Sequence, residues 1–97
     1  METRIKAIHF DIAEKLTAFI NKKAERLGRH NENITDIDVT LKVVKPETAM
    51  NKEALIKVQV PQHDDIVATK VADTFEEAID LCLEAIERQL EKIKGKK

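Results

Sequence analysis

Aromatic residues are scarce in this sequence: among 97 residues there are three Phe, no Trp and no Tyr. The core must therefore be built mainly from Ile, Leu, Val and Ala. The one cysteine, Cys82, excludes a disulfide within the chain and is typical of a reducing compartment. No apolar run approaches the roughly 20 residues that span a bilayer, and the N-terminal segment METRIKAIHF lacks the apolar region of a signal peptide. These absences predict a cytoplasmic protein.

Residue types that carry catalysis are also sparse. The two glycines, Gly28 and Gly95, cannot form a glycine-rich phosphate loop. The three histidines are far apart in the sequence, and no cluster of His, Cys, Asp and Glu has the spacing of metal ligands. Cys82 falls on the apolar stripe of a predicted helix, which favours a buried structural thiol over a nucleophile. We therefore predict no catalytic residue, no metal site, no cofactor and no small-molecule substrate.

Charge is abundant but segregated along the chain. The formal net charge is only -1, with 36% charged and 42% hydrophobic residues, a composition typical of a globular chain. The length predicts a single domain over residues 1–97 with one modest core. Within the first 30 residues, however, seven Lys or Arg stand against four acids. The near-neutral total argues against a nonspecific polycation, so any charged partner must be inferred from local surfaces.

Hydrophobic periodicity predicts four strands and two helices in the order βαβββα. Alternating residues indicate strands over 3–10, 34–44, 54–60 and 66–72, with a polar loop over 45–53. Helical spacing indicates a first helix over 12–29 and a second that carries an apolar stripe from Phe75 to Ile93. The fold class is α+β, a two-layer sandwich in which both helices pack on one face of a four-stranded sheet. The first helix provides the crossover that lets the first two strands run parallel.

The helix ends carry recognisable capping residues. Asp11 with Glu14 three residues later forms a capping-box pattern at the start of the first helix. Gly28 suits the C-terminal end of that helix. Asp73 or Thr74 is expected to cap the second helix.

Basic residues form a stripe on each predicted helix. At about 100° per residue, the first helix gathers Lys15, Lys22, Arg26 and Arg29, with Lys23 at the edge of its apolar face. The second helix places basic residues on one flank (Arg88, Lys92, Lys96) and acids on the other (Glu76, Asp80, Glu84, Glu87, Glu91). Side by side, the two helices are expected to form a joint basic surface suited to a phosphate backbone. The alternative is that these stripes are only solvated helix faces.

Several segments resemble the ribosome hibernation-promoting factor family, which includes the ribosome-associated translation inhibitors. They are IHFD, FINKKAERL, IDVTLKV and KVADTFEEAIDLCLEAIERQLEKIK, in which AID at 78–80 and ERQL at 87–90 are the most specific pieces. The loop within KVVKPETAMNKEALIKV is similar to that of short, Bacteroidota-type members. The resemblance extends over essentially the whole chain and agrees with the βαβββα order.

The resemblance implies a noncatalytic protein that binds the small ribosomal subunit in the channel for messenger RNA and tRNA. Such proteins inhibit translation in stationary phase or stress through basic side chains that meet ribosomal RNA phosphates. The matching positions in this sequence are Lys22, Lys23, Arg26, Arg29, Arg88 and Lys92. The chain looks like a short form without the C-terminal dimerisation domain of long members, so a separate factor would be needed to pair ribosomes.

Two positions depart from the family pattern. Ala85, on the basic flank, stands where members often carry Lys, so one expected phosphate contact on the second helix is missing. Glu91 stands where they often carry a basic residue, but it falls on the acidic flank and should matter less. The residues leave two other functions open. One is a binding module for other structured or double-stranded RNA, and the other is a protein–protein adaptor that acts through the acidic flank of the second helix.

Overall fold

The predicted alternation and helical periodicity produce the expected elements. The computed structural model describes residues 2–44 and 50–95 of the chain. Its elements are β1 (Glu2–Ala7), α1 (Glu14–His30), β2 (Asp36–Val43), β3 (Lys52–Gln59), β4 (Ile66–Ala72) and α2 (Phe75–Gly95). The α+β class and the βαβββα order are therefore confirmed.

The four strands form one mixed sheet in the order β1-β2-β3-β4. β1 runs parallel to β2, and the other two pairs are antiparallel. A parallel pair cannot be joined by a tight hairpin, so α1 connects the first two strands. One register row places Ile5, Val39, Ile56 and Ala68 side by side across all four strands. This row lies on the face that both helices cover.

The core between the sheet and the helices is aliphatic, as the scarcity of aromatic residues predicts. Ile20, Ala24 and Leu27 of α1 are buried. α2 buries Ala78, Ile79, Cys82, Ile86 and Leu90 and packs on β3 and β4. At the margin, the rings of Phe10 and Phe75 stack with their centroids 5.1 Å apart. The core thus fixes which face of each helix points away from the sheet.

Cys82 is a structural thiol, as its position on the apolar stripe indicates. Its Sγ donates a hydrogen bond to the carbonyl oxygen of Ala54 at 3.2 Å, and the residue is fully buried. Burial raises the pKa of this thiol to about 11, because the thiolate would lose its hydration. The reactive, ionised form is therefore disfavoured at neutral pH.

The predicted capping box at the start of α1 is wrong. The helix begins at Glu14 with Ala13 as its N-cap, and within the described part of the chain no side-chain hydrogen bond caps it. β1 ends at Ala7, three residues earlier than expected, and His9 then adopts a φ of 61°. This bend leaves Asp11 two residues before the N-cap position, too early for its carboxylate to serve as the cap residue.

The C-terminal end of α1 differs from the prediction, whereas the N-terminal cap of α2 agrees with it. α1 continues past Gly28 to His30, and the Asn31 side chain closes it by donating from Nδ2 to the carbonyl oxygen of Leu27 at 3.0 Å. At α2, Thr74 is the cap as predicted, since its Oγ1 accepts a hydrogen bond from the Glu77 N–H at 3.1 Å. Of the loop expected over 45–53, the residues 45–49 lie outside the described part of the chain, and β3 already begins at Lys52.

Candidate nucleic-acid interface

The outward side of α1 carries four exposed cations. Because Ile20, Ala24 and Leu27 face the sheet, the side chains about half a turn away from them face solvent. These are Lys15, Lys22, Arg26 and Arg29, which we call the α1 ridge. At 1.5 Å per residue the ridge is about 21 Å long. Within residues 2–44 and 50–95, none of the four forms an ion pair.

Lys23 is placed differently from its neighbour Lys22. Its side chain is about one-third exposed, and its Nζ lies 3.3 Å from Oδ1 of Asp80 on α2. The same ammonium lies 5.3 Å from the centroid of the Phe19 ring, within the range of a cation–π contact. Lys23 therefore bridges the two helices, whereas Lys22 faces solvent.

The flank of α2 that faces α1 is acidic. The groove between the helices is lined by cations of α1 and carboxylates of α2, and we call it the interhelical groove. Its charged lining consists of Lys23, Arg26, Asp80, Glu84, Glu87 and Glu91, with His30 at one end. The expectation of a joint basic surface is therefore wrong, because the basic flank of α1 meets the acidic flank of α2.

The basic residues of α2 lie on its outer side. Lys92 follows Ala85 by seven residues, nearly two full turns, so both lie on the flank away from α1. Ala85 is half-buried and packs against the core there. Arg88 is exposed, and its Nη2 donates to Oε1 of Glu84 at 3.0 Å. Lys96, which the periodicity assigns to the same flank, lies outside the described residues.

The interhelical and intrahelical ion pairs are too exposed to hold the fold together. The side chains of Arg88 and Glu84 are 69% and 62% exposed, and that of Asp80 is 53% exposed. Pairs of this kind typically contribute about 0–1 kcal/mol because water and salt screen them. Their main effect is to reduce the charge that Lys23 and Arg88 present to a partner.

The open face of the sheet is charged but balanced. Arg4 donates from Nε to Oδ1 of Asp38 at 2.6 Å and from Nη1 to Oε2 of Glu2 at 2.9 Å. The guanidinium of Arg4 lowers the pKa of the Asp38 carboxyl below its usual value of 3.8. Lys57, cross-strand from Asp38, is also paired, with its Nζ 3.4 Å from Oδ2 of Asp65. Among the described cations of this face, Lys6 and Lys42 form no ion pair, against four such cations on the α1 ridge.

The described residues lack both a metal-binding cluster and a membrane-spanning helix. They contain no group of three or more His, Cys, Asp or Glu that could hold a metal ion. Neither of the two helices, over the residues described, is both long and apolar enough to cross a membrane.

The fold and the α1 ridge define the class of protein: a small α+β domain whose helical layer carries an exposed row of cations. The family model described as "Sigma 54 modulation protein / S30EA ribosomal protein" matches residues 3–97. The chain belongs to this family, which confirms the resemblance inferred from its segments.

Relatives and solved structures agree with the assignment. The chain is 27% identical over 96 residues to a ribosome hibernation promoting factor of Pseudomonas putida, covering 99% of this chain and 89% of the relative. It is 30% identical over 96 residues to that of Azotobacter vinelandii, covering 99% and 85%. A ribosomal subunit interface protein from Coxiella burnetii superposes with a TM-score of 0.86 at 25% identity, covering 99% of this chain and 100% of that one. The N-terminal domain of Thermus thermophilus Protein Y shares the fold, with a TM-score of 0.76 at 19% identity and coverage of 93% and 94%.

Proposed function

We propose that this protein is a ribosome hibernation factor that binds the small ribosomal subunit and inhibits translation in stationary phase or stress. It acts in the cytoplasm and without catalysis, by occupying the channel for messenger RNA and tRNA through contacts with ribosomal RNA phosphates. Family membership and the names of the relatives support the ribosome as the partner. The observation that carries the proposed contact is the α1 ridge, whose cations are unpaired over the described residues.

The ridge has the chemistry that a phosphate backbone requires. Arg26 and Arg29 offer guanidinium forks that can bond to two phosphate oxygens, and Lys15 and Lys22 add mobile ammonium groups. A contact made to backbone phosphates needs no base-reading groups and suits a partner whose RNA is already folded. We therefore assign the primary contact to Lys22, Arg26 and Arg29, with Lys15 at the end of the ridge.

The remaining predicted residues make a secondary contribution. Lys23 must leave Asp80, and Arg88 must leave Glu84, before either can give its full charge to a phosphate. Lys92 is exposed on the outer flank of α2 and can be reached only by an RNA segment that passes over that helix.

Co-sedimentation with separated ribosomal subunits tests the proposal. At about 100 mM salt we expect the protein to sediment with the small subunit and not with the large one. At about 500 mM salt most of it should remain in the supernatant, because phosphate-driven affinity falls steeply with salt. Retention on the large subunit alone, or at neither salt concentration, would contradict the proposal.

A pair of charge reversals identifies the surface. Lys22→Glu with Arg29→Glu on the α1 ridge should abolish sedimentation with the small subunit. The matched control is Lys6→Glu with Lys70→Glu, which makes the same change in net charge at exposed positions on β1 and β4. The control should bind nearly as well as the unaltered protein. Equal loss in both variants would mean that net charge, and not the ridge, determines binding.

A further inference from the structure

The interhelical groove brings carboxylates of α2 next to cations of α1. Asp80 lies 3.3 Å from the ammonium of Lys23. Glu87 lines the groove beside Arg26 at two places, toward Asp80 and toward Glu91. An RNA phosphate that approaches Lys23 or Arg26 from the α2 side must therefore come close to a negative charge.

We propose that Asp80 and Glu87 set the affinity of the RNA-binding surface: Asp80 competes with phosphate for Lys23, and Glu87 repels phosphate from the groove side of Arg26, so that the RNA strand is confined to the outward side of the α1 ridge. This inference rests on the proposed function. It assigns a role to two acidic residues on the helical face that contacts the partner.

The structure explains why Asp80 reduces the charge that Lys23 offers to a phosphate but not the charge that Lys22 offers. The side chain of Lys23 is held between the Phe19 ring and Asp80, so its ammonium points into the groove. Lys22, one residue earlier, is rotated about 100° away and is exposed on the ridge. Asp80 therefore neutralises one specific cation.

The contact between Lys23 and Asp80 is weak enough for a phosphate to displace it. Both side chains are partly exposed, at 32% and 53%, and pairs at this level of exposure contribute little to stability. Because the fold does not depend on the pair, the carboxylate can be neutralised without unfolding the protein. Its removal should leave Lys23 free and also remove the repulsion between Asp80 and an incoming phosphate.

If Asp80 assisted phosphate binding instead of competing with it, its neutralisation would change the affinity in the opposite direction. If Asp80 instead oriented Lys23 for its phosphate contact, then Asp80→Asn would weaken binding. The direction of the change therefore separates competition from orientation.

A double-mutant cycle on Lys23 and Asp80 tests the inference, with purified small ribosomal subunits as the probe at about 100 mM salt. Asp80→Asn should tighten binding about twofold to fivefold, the range expected for a weak exposed pair. Lys23→Gln should weaken binding less than twofold in the unaltered protein, and about threefold or more in the Asp80→Asn background. The same reasoning predicts tighter binding for Glu87→Gln.

The control for net charge is Glu53→Gln on the open face of the sheet, opposite the helices. It makes the same change in net charge as Asp80→Asn and should leave affinity nearly unchanged. Thermal unfolding of each variant checks that the fold is retained.

Three results would overturn the inference: weaker or unchanged binding by Asp80→Asn, equal tightening by Glu53→Gln, or the same effect of Lys23→Gln in both backgrounds. If Lys22→Glu with Arg29→Glu still abolishes binding in those cases, the proposed function stands and only the role of the groove fails. If the ridge reversal has no effect either, the assignment of the phosphate contact to the α1 ridge fails as well, whereas the proposed function itself fails only if the unaltered protein does not bind the small subunit.

Discussion

Neutralising the α1 ridge one cation at a time should change how steeply binding depends on salt. Each phosphate contact releases counterions and adds about 0.7 to 0.9 to the slope of log affinity against log salt. Four contacts from Lys15, Lys22, Arg26 and Arg29 predict a slope of about -2.8 to -3.6. A fivefold increase in salt should then lower affinity by at least about 100-fold. Lys22→Gln or Arg29→Gln should each remove one contact from the slope, so that the same salt step lowers affinity by about 30- to 80-fold.

The position of Lys23 provides an internal comparison. Its ammonium already lies 3.3 Å from the carboxylate of Asp80, so Lys23→Gln should change the slope by clearly less than Lys22→Gln. The two adjacent lysines would then differ in their effect on the slope because their side chains point in different directions. Equal changes at the two positions would show that the ion pair does not persist in solution.

Fluorescence anisotropy gives the slope directly. The protein is labelled at its N-terminus and titrated with small subunits between about 100 and 500 mM salt. The label avoids Cys82, which is buried. If the slope stays at its original value when two ridge cations are removed, the ridge makes no phosphate contact. Exposed, unpaired cations would then not mark the RNA-binding surface of this protein.

Two further predictions concern stability and the buried thiol. Thr74→Ala should lower the free energy of unfolding by about 1 kcal/mol, because the α2 cap is lost. Asp11→Ala should change the free energy of unfolding little, because Asp11 lies before the first turn of α1. Urea titration checks both variants. Burial raises the pKa of Cys82 from its ordinary value of 9.0 to about 11, so the unfolded chain releases this proton first and the free energy of unfolding should fall between pH 9 and 11. Urea titration of the unaltered protein and of Cys82→Ala across this pH range checks the effect. The decline should be absent in Cys82→Ala, and its persistence there would show that Cys82 does not cause it.

The elements of the fold follow from local sequence patterns. Strict alternation from residue 34 onward predicts β2, which forms over Asp36–Val43, and β4 forms over Ile66–Ala72 as predicted. The apolar stripe of α2 becomes its buried face, including Cys82. These features are predictable because burial of an apolar face is decided within each segment, by side chains that recur at the period of a strand or a helix.

The first turn of α1 could not be predicted in the same way. A capping pattern at Asp11 and Glu14 is correct in spacing, yet the cap forms only if the backbone enters the helix at that residue. The bend after β1, with His9 at a φ of 61°, delays the entry until Glu14. The length of that bend depends on the distance between the end of β1 and the position of α1 over the sheet, which no local sequence pattern encodes.

The pairing of helix flanks is the part of the candidate site that periodicity leaves open. A helical wheel gives the angle between Arg26 and the apolar stripe of α1, but not which neighbour that flank will meet. Sheet order and connection direction decide this: with α1 following β1 and α2 packing on β3 and β4, only one flank of each helix can face the other. That arrangement directs Lys23 toward Asp80 and leaves Lys92 on the outside. Two basic stripes that look equivalent in the sequence therefore become one exposed cationic ridge on α1 and one outlying flank on α2, separated by carboxylates.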